Sequence, residues 1–211
     1  MVTDTAIPIP RVRKQMIDNA LSSAMQSVVG AAIAKPPKNA EREVNLMMAN
    51  VRSYFKRFCL YHLHNEFGLW LGRDQPGSPI EHCAGRVTHL LAGFEFLRDN
   101  PSQPFFSSRF FEHFMLNILT LSPFNLCSFI GVDHLDNLFT LGGAAIIAAL
   151  HDFEEGFCVP RDVKCDVWRM YYLEVEKVIR GMRQEDYLRQ WLDDFQKNLL
   201  DRGRASLPPH D

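Results

Sequence analysis

The sequence predicts an all-α fold: a single domain of about seven helices around a central apolar helix over residues 138–153. Three observations carry that expectation. Apolar residues recur at steps of three and four along most of the chain, the spacing of one helix face. No convincing run of five or more residues alternates apolar with polar in the manner of a half-buried strand. Proline, glycine and serine cluster where the helical runs stop.

The first run places Val12, Met16, Ile17, Leu21, Ala24, Met25, Val28, Val29 and Ile33 on one face, between Pro10 and Pro36-Pro37. The second follows Asn39 as a helix cap, carries Val51, Tyr54, Phe55 and Phe58, and ends near Gly68 or slightly later. Gly72 to Pro79 is turn chemistry. Ser78-Pro79-Ile80-Glu81 then forms a capping box with proline at the first helical position, opening a helix that Gly93 stops after Ala92. Beyond the proline-bearing connection, Ser107 or Ser108 caps a helix carrying Phe110, Phe111, Phe114, Met115, Ile118 and Leu119. The stretch 122–137 reads as irregular yet packed on the core, because apolar side chains fill it.

Leu138 to Phe153 is apolar almost all round, which suits a helix at the centre of a domain, and Gly142-Gly143 let a neighbour approach closely. Gly156 ends it. Pro160 and Asp162 open the next helix, with Val163, Val167, Tyr171, Val175 and Ile179 on one face, and Gly181 closes that one. The last run shows Leu188, Trp191, Leu192, Phe195 and Leu199. Residues 1–10 and 201–211 read as flexible ends of a single domain over 11–200.

Hydrophobic residues make up 46% of the chain and charged ones 23%, values that exclude a disordered chain, collagen or a coiled-coil rod. The 23 Lys+Arg against 25 Asp+Glu give no global basic field and so no support for nucleic-acid binding. Local basic clusters (Arg11, Arg13, Lys14; Lys35, Lys38, Arg42; Lys56-Arg57; Arg180, Arg183) have acidic neighbours and read as solvated helix faces. The apolar stretch Leu138–Leu150, at 13 residues, is too short to span a membrane. The first fifteen residues lack the order of a secretion signal. Five cysteines without a Cys-x-x-Cys pair suit a reduced protein inside the cell, in cytoplasm or nucleus.

The sharpest chemical candidate is His151-Asp152, closing the apolar helix. It resembles the doublet of the HD-type metal-dependent phosphohydrolases, themselves all-α. That resemblance implies a divalent metal held by His89, His151 and Asp152, with Asp186, Asp193 or Asp194 completing the set. The competing reading is the polar last turn of a buried helix. His62 and Glu66 share a helix face while His64 points elsewhere, and two residues do not make a metal site. His151, Cys158 and Cys165 fit no standard zinc spacing. No nucleophile elbow, phosphate loop or dinucleotide fingerprint occurs. Of the sixteen phenylalanines, the pairs Phe105-Phe106 and Phe110-Phe111 cannot all face one side of a helix. Some reach the core from loops, and some are available to a partner.

Four stretches, Arg11–Ser23, His89–Met115, Leu138–Gly156 and Asp166–Ile179, resemble an uncharacterised all-α domain widespread in mushroom-forming fungi. The ending Ala149-Leu150-His151-Asp152-Phe153-Glu154-Glu155-Gly156 matches that family's alanine-rich helix, which closes in Ala-Leu-x-acid-aromatic-x-x-Gly. The resemblance implies a fold and no mechanism. The functional expectation is therefore a non-enzymatic helical interaction domain inside the cell, working through a protein partner or self-association and needing no cofactor. A metal-dependent phosphohydrolase is the alternative.

Overall fold

The computed structural model describes residues 40–71, 77–120, 126–128 and 130–206, and for 40–48 and 128 the backbone alone. The helix expected over 12–33, the flexible segment 1–10 and the basic residues Arg11, Arg13, Lys14, Lys35 and Lys38 lie outside the described residues. Within them are six α-helices and no strand: α1 (Ala40–Glu66), α2 (Pro79–Leu91), α3 (Arg109–Thr120), α4 (Leu135–Leu150), α5 (Cys165–Gln184) and α6 (Asp186–Ala205). Short 3₁₀ turns join several of them, and one contiguous hydrophobic core unites all six.

Helix starts follow local chemistry. Ser78 Oγ accepts the Glu81 amide at 3.4 Å and Pro79 occupies the first turn of α2. That helix stops at Leu91, and Gly93 takes a left-handed φ of 64°. Ser108, fully buried, accepts the Phe111 amide at 3.0 Å and so caps α3. Asp99 accepts from Arg109, the first residue of that helix.

α4 is buried along its length except at Asp136, Asn137 and Leu141, and it packs most closely against α5 and α1. Its two glycines set those distances. A Cβ at Gly142 would lie 2.9 Å from Met115 Sδ, and one at Gly143 would lie 2.8 Å from Val175 Cγ1. Backbone thus meets side chains of α3 on one side and α5 on the other, with no room for a methyl group. Ile147→Ala in this helix, where the side chain is almost wholly buried, opens a cavity and lowers stability by about 2–5 kcal/mol. Urea unfolding checks this, and a wild-type midpoint would mean that the site collapses without loss.

Aromatic rings fill the layer between α3 and α4. Phe106, Phe110, Phe111, Phe114 and Phe139 are all buried, with edge-to-face pairs Phe106–Phe111 and Phe111–Phe139 at 5.0 and 5.1 Å. Phe105 is half-buried beneath the Arg98 guanidinium at 4.6 Å. The phenylalanine pairs singled out in the sequence therefore serve the core and offer little to a partner.

Several boundaries differ from the expected ones. The apolar helix starts at Leu135 rather than Leu138, and 151–153 form a 3₁₀ turn. α5 begins at Cys165, after an extended stretch containing Pro160 and Asp162, and runs through Gly181 to Gln184. α6 runs past residue 200 to Ala205 because its end is tied down. Gly203 packs against Cys127, and Arg204 donates to the carbonyls of Cys127 and Ile130. The flexible tail expected over 201–211 is helical as far as Ala205, and 207–211 lie outside the described residues.

One polar network links α4, α5 and α6. Asp136 accepts from Arg183 at 2.7 Å and from Gln196 at 2.7 Å, and Arg183 also pairs with Asp193. Burial pushes the Asp136 carboxyl up, but the bonds from Arg183 and Gln196 and the guanidinium charge outweigh it, leaving the carboxyl below its ordinary value. Such a group stabilises the fold above the unfolded-state value of about 3.9 and loses that contribution as acid protonates the folded carboxyl. Urea midpoints should therefore fall on acidification below about pH 4, and fall less in Asp136→Asn. Parallel curves for the two proteins would remove Asp136 from the pH dependence.

Candidate functional site

The 3₁₀ turn His151–Phe153 carries the doublet singled out in the sequence and separates its two residues. Asp152 points inward, 1% exposed, where Lys56 of α1 meets it. Lys56 Nζ donates to Asp152 Oδ1 at 2.9 Å and to the Arg161 carbonyl at 2.5 Å. The Arg161 amide returns to Oδ1 at 3.2 Å. Oδ2 lies 2.8 Å from the same ammonium, an ion pair without hydrogen-bond geometry. A buried cation, one oxygen of a buried carboxylate and one backbone unit therefore pair with one another, while Oδ2 is held by charge alone. Asp152 also accepts the Val159 amide at its carbonyl, so the stretch around 159–161 is strapped to the middle of α1 at Lys56.

His151 turns the other way. It stacks on Tyr171 at 5.0 Å, and its Nδ1 lies 2.5 Å from Glu154. His89 is exposed on α2, within electrostatic reach of Glu95, which Arg98 holds by two hydrogen bonds. Asp186 pairs with Arg189 and Asp193 with Arg183, while Asp194 is exposed. Among the described residues no three His, Cys, Asp or Glu side chains come together to hold a metal ion. The metal set His89, His151 and Asp152 is thus not assembled: the carboxylate is committed to an ammonium inside the core while both imidazoles face elsewhere.

The other candidates are equally dispersed. His62 lies 4.5 Å from Phe58 and 6.1 Å from His113, ring to ring, and burial with the neighbouring His113 lowers its pKa. His64 approaches Trp70 instead. All five cysteines are free. Burial raises the thiols of Cys59, Cys83 and Cys127, and burial with the Asp152 charge raises that of Cys158, so these four are poor thiolates at neutral pH. Cys165 accepts from Arg52 at 3.5 Å.

What the surface does present is apolar. Gly156 lies directly against Ile80, where a Cβ would come within 2.4 Å of that residue's carbonyl oxygen. Around this contact Ile80 is 54% exposed, and Phe157, the next residue after Gly156, is 51% exposed. Trp70, 61% exposed, follows Gly68, whose carbonyl lies 3.0 Å from His82 Nε2 on the first turn of α2. Ile80 and Phe157 thus stand together at the start of α2, and Trp70 lies on the segment that His82 ties to the same turn. Sequence reading missed Phe157 and Trp70 because both stand in turn regions outside any helical face.

No helix among the described residues is long and apolar enough to cross a membrane. Comparison of the chain with family models, with curated proteins and with solved structures finds no match in any of the three.

Proposed function

We propose that the chain is a non-enzymatic helical interaction domain working in the reducing interior of the cell, through a protein partner or a second copy of itself. The observation that carries this reading is the exposure of Ile80 and Phe157 around the Gly156 contact, with Trp70 also exposed two residues beyond the Gly68 carbonyl that meets His82. Neighbouring large hydrophobic side chains left half or more in water, as Ile80 and Phe157 are, are typical of surfaces that another protein covers. The inward commitment of Asp152 and the protonated thiols support a role other than catalysis. Five unbonded cysteines suit a reducing compartment. The resemblance to the fungal domain, which has no assigned activity, agrees with it.

Light scattering from micromolar to millimolar protein tests the self-associating form. The expected result is a mass that rises with concentration in the wild type and stays monomeric in Trp70→Ser/Phe157→Ser. A monomer throughout overturns self-association. A double variant that still binds every protein retained by the wild type overturns the role of this surface.

A further inference from the structure

α1, α4, α5 and the turn before α4 border an open groove of about 380 Å³, within the ~300–1,000 Å³ range of small-molecule sites. Its wall is apolar where it is buried: Leu138 and Trp168 are 8% and 6% exposed, and Leu141 is half-buried beside them. Its polar side chains are Arg52, Arg169, His134, Asn137 and Tyr172, and no carboxylate lines it among the described residues. Tyr172 spends its hydroxyl proton on Asn137 at 3.0 Å, which leaves the two guanidinium groups as its strong donors.

Those two arginines stand apart from others in the molecule. Arg98, Arg161, Arg183 and Arg202 each hold a carboxylate. Among the described residues half-buried Arg52 has only the weak contact to Cys165 Sγ at 3.5 Å, and Arg169, exposed at the rim, has no partner. A guanidinium is a planar fork that matches a carboxylate, and a ligand's apolar body can cover the wall beside it. An apolar groove edged by two such forks and free of negative charge is complementary to a ligand that is apolar along its body and anionic at one end.

We propose that this groove binds a small organic carboxylate with an apolar body, an aromatic or medium-chain acid. The carboxylate sits on Arg52 and Arg169, and the body lies against Leu138, Leu141 and Trp168. Neither arginine belongs to the surface around Trp70 and Phe157, so this site stands or falls separately from the interaction reading.

Calorimetric titration of the intact protein with 1-naphthoate and with decanoate tests it. The expected result is saturable one-site binding of at least one of the two acids, weakened about tenfold or more in Arg52→Gln/Arg169→Gln. The neutral 1-naphthylmethanol binds more weakly and ignores the arginine changes. Leu141→Trp, which fills the groove, abolishes binding, whereas Trp70→Ser/Phe157→Ser retains it. The proposal is overturned if neither acid saturates at millimolar concentration, or if the arginine double variant binds as the wild type does. Inorganic phosphate binding as well as the acids would also overturn it, because that behaviour marks a surface patch for anions of any kind.

Discussion

Lys56→Met should lower stability by about 3–5 kcal/mol, the loss expected when one member of a buried ion pair is removed. The side chains of Lys56 and Asp152 are 10% and 1% exposed, so the surviving carboxylate keeps only the Arg161 amide and stays away from water. The Arg161 carbonyl loses its donor in the same step, loosening the strap on α1. Lys56→Met/Asp152→Leu should recover much of the loss, because replacing both charges by apolar groups is often close to neutral. Urea unfolding of the two variants decides it. A loss below about 1 kcal/mol in the single variant, as at exposed pairs, would mean that the ammonium and carboxylate are solvated.

Gly156→Ala should cost about 2–5 kcal/mol, combining a left-handed backbone with overpacking. At φ 85° an alanine is strained, and its Cβ would fall within 2.4 Å of the Ile80 carbonyl oxygen, a backbone atom that cannot step aside. Gly181→Ala makes the matched comparison. That glycine is exposed inside α5 with nothing within 4 Å of a new Cβ, so the same substitution should stabilise by about 0.5–1 kcal/mol. Thermal unfolding should move in opposite directions for the two, and a shared direction would refute the geometry at residue 156.

What the sequence disclosed about the fold is what short-range chemistry decides. Ser78, Pro79 and Glu81 announce the start of α2, and Ser108 announces that of α3, because a cap acts within three residues of itself. Gly181 misled because a glycine in a long helix is tolerated when α5 is held by the buried side of Val175, Ile179 and Met182. Asp162 misled because the strap through Arg161 keeps that stretch extended, a constraint arriving from residue 56. The pairing of Lys56 with Asp152 spans 96 positions and has no local signature. One clue was present: Lys56 falls in step with the buried Cys59 and Leu63, at spacings of three and four, where a solvated lysine does not belong. The exposure of Trp70 and Phe157 was illegible for a different reason, since both stand outside any helix, where periodicity assigns no face.

Phe106 bears on how long the folded molecule persists. Its φ of 69° is a conformation that an aromatic residue rarely visits alone, yet its ring is wholly buried against Phe111 and Phe139. The rings that hold it belong to α3 and α4, so the connection before α3 keeps its shape only while those helices are packed together. Interactions absent from the transition state govern how fast a protein comes apart rather than how fast it forms. Phe106→Leu should therefore quicken unfolding several-fold in stopped-flow experiments while leaving the refolding rate almost untouched, which makes this turn a latch on the lifetime of the folded chain.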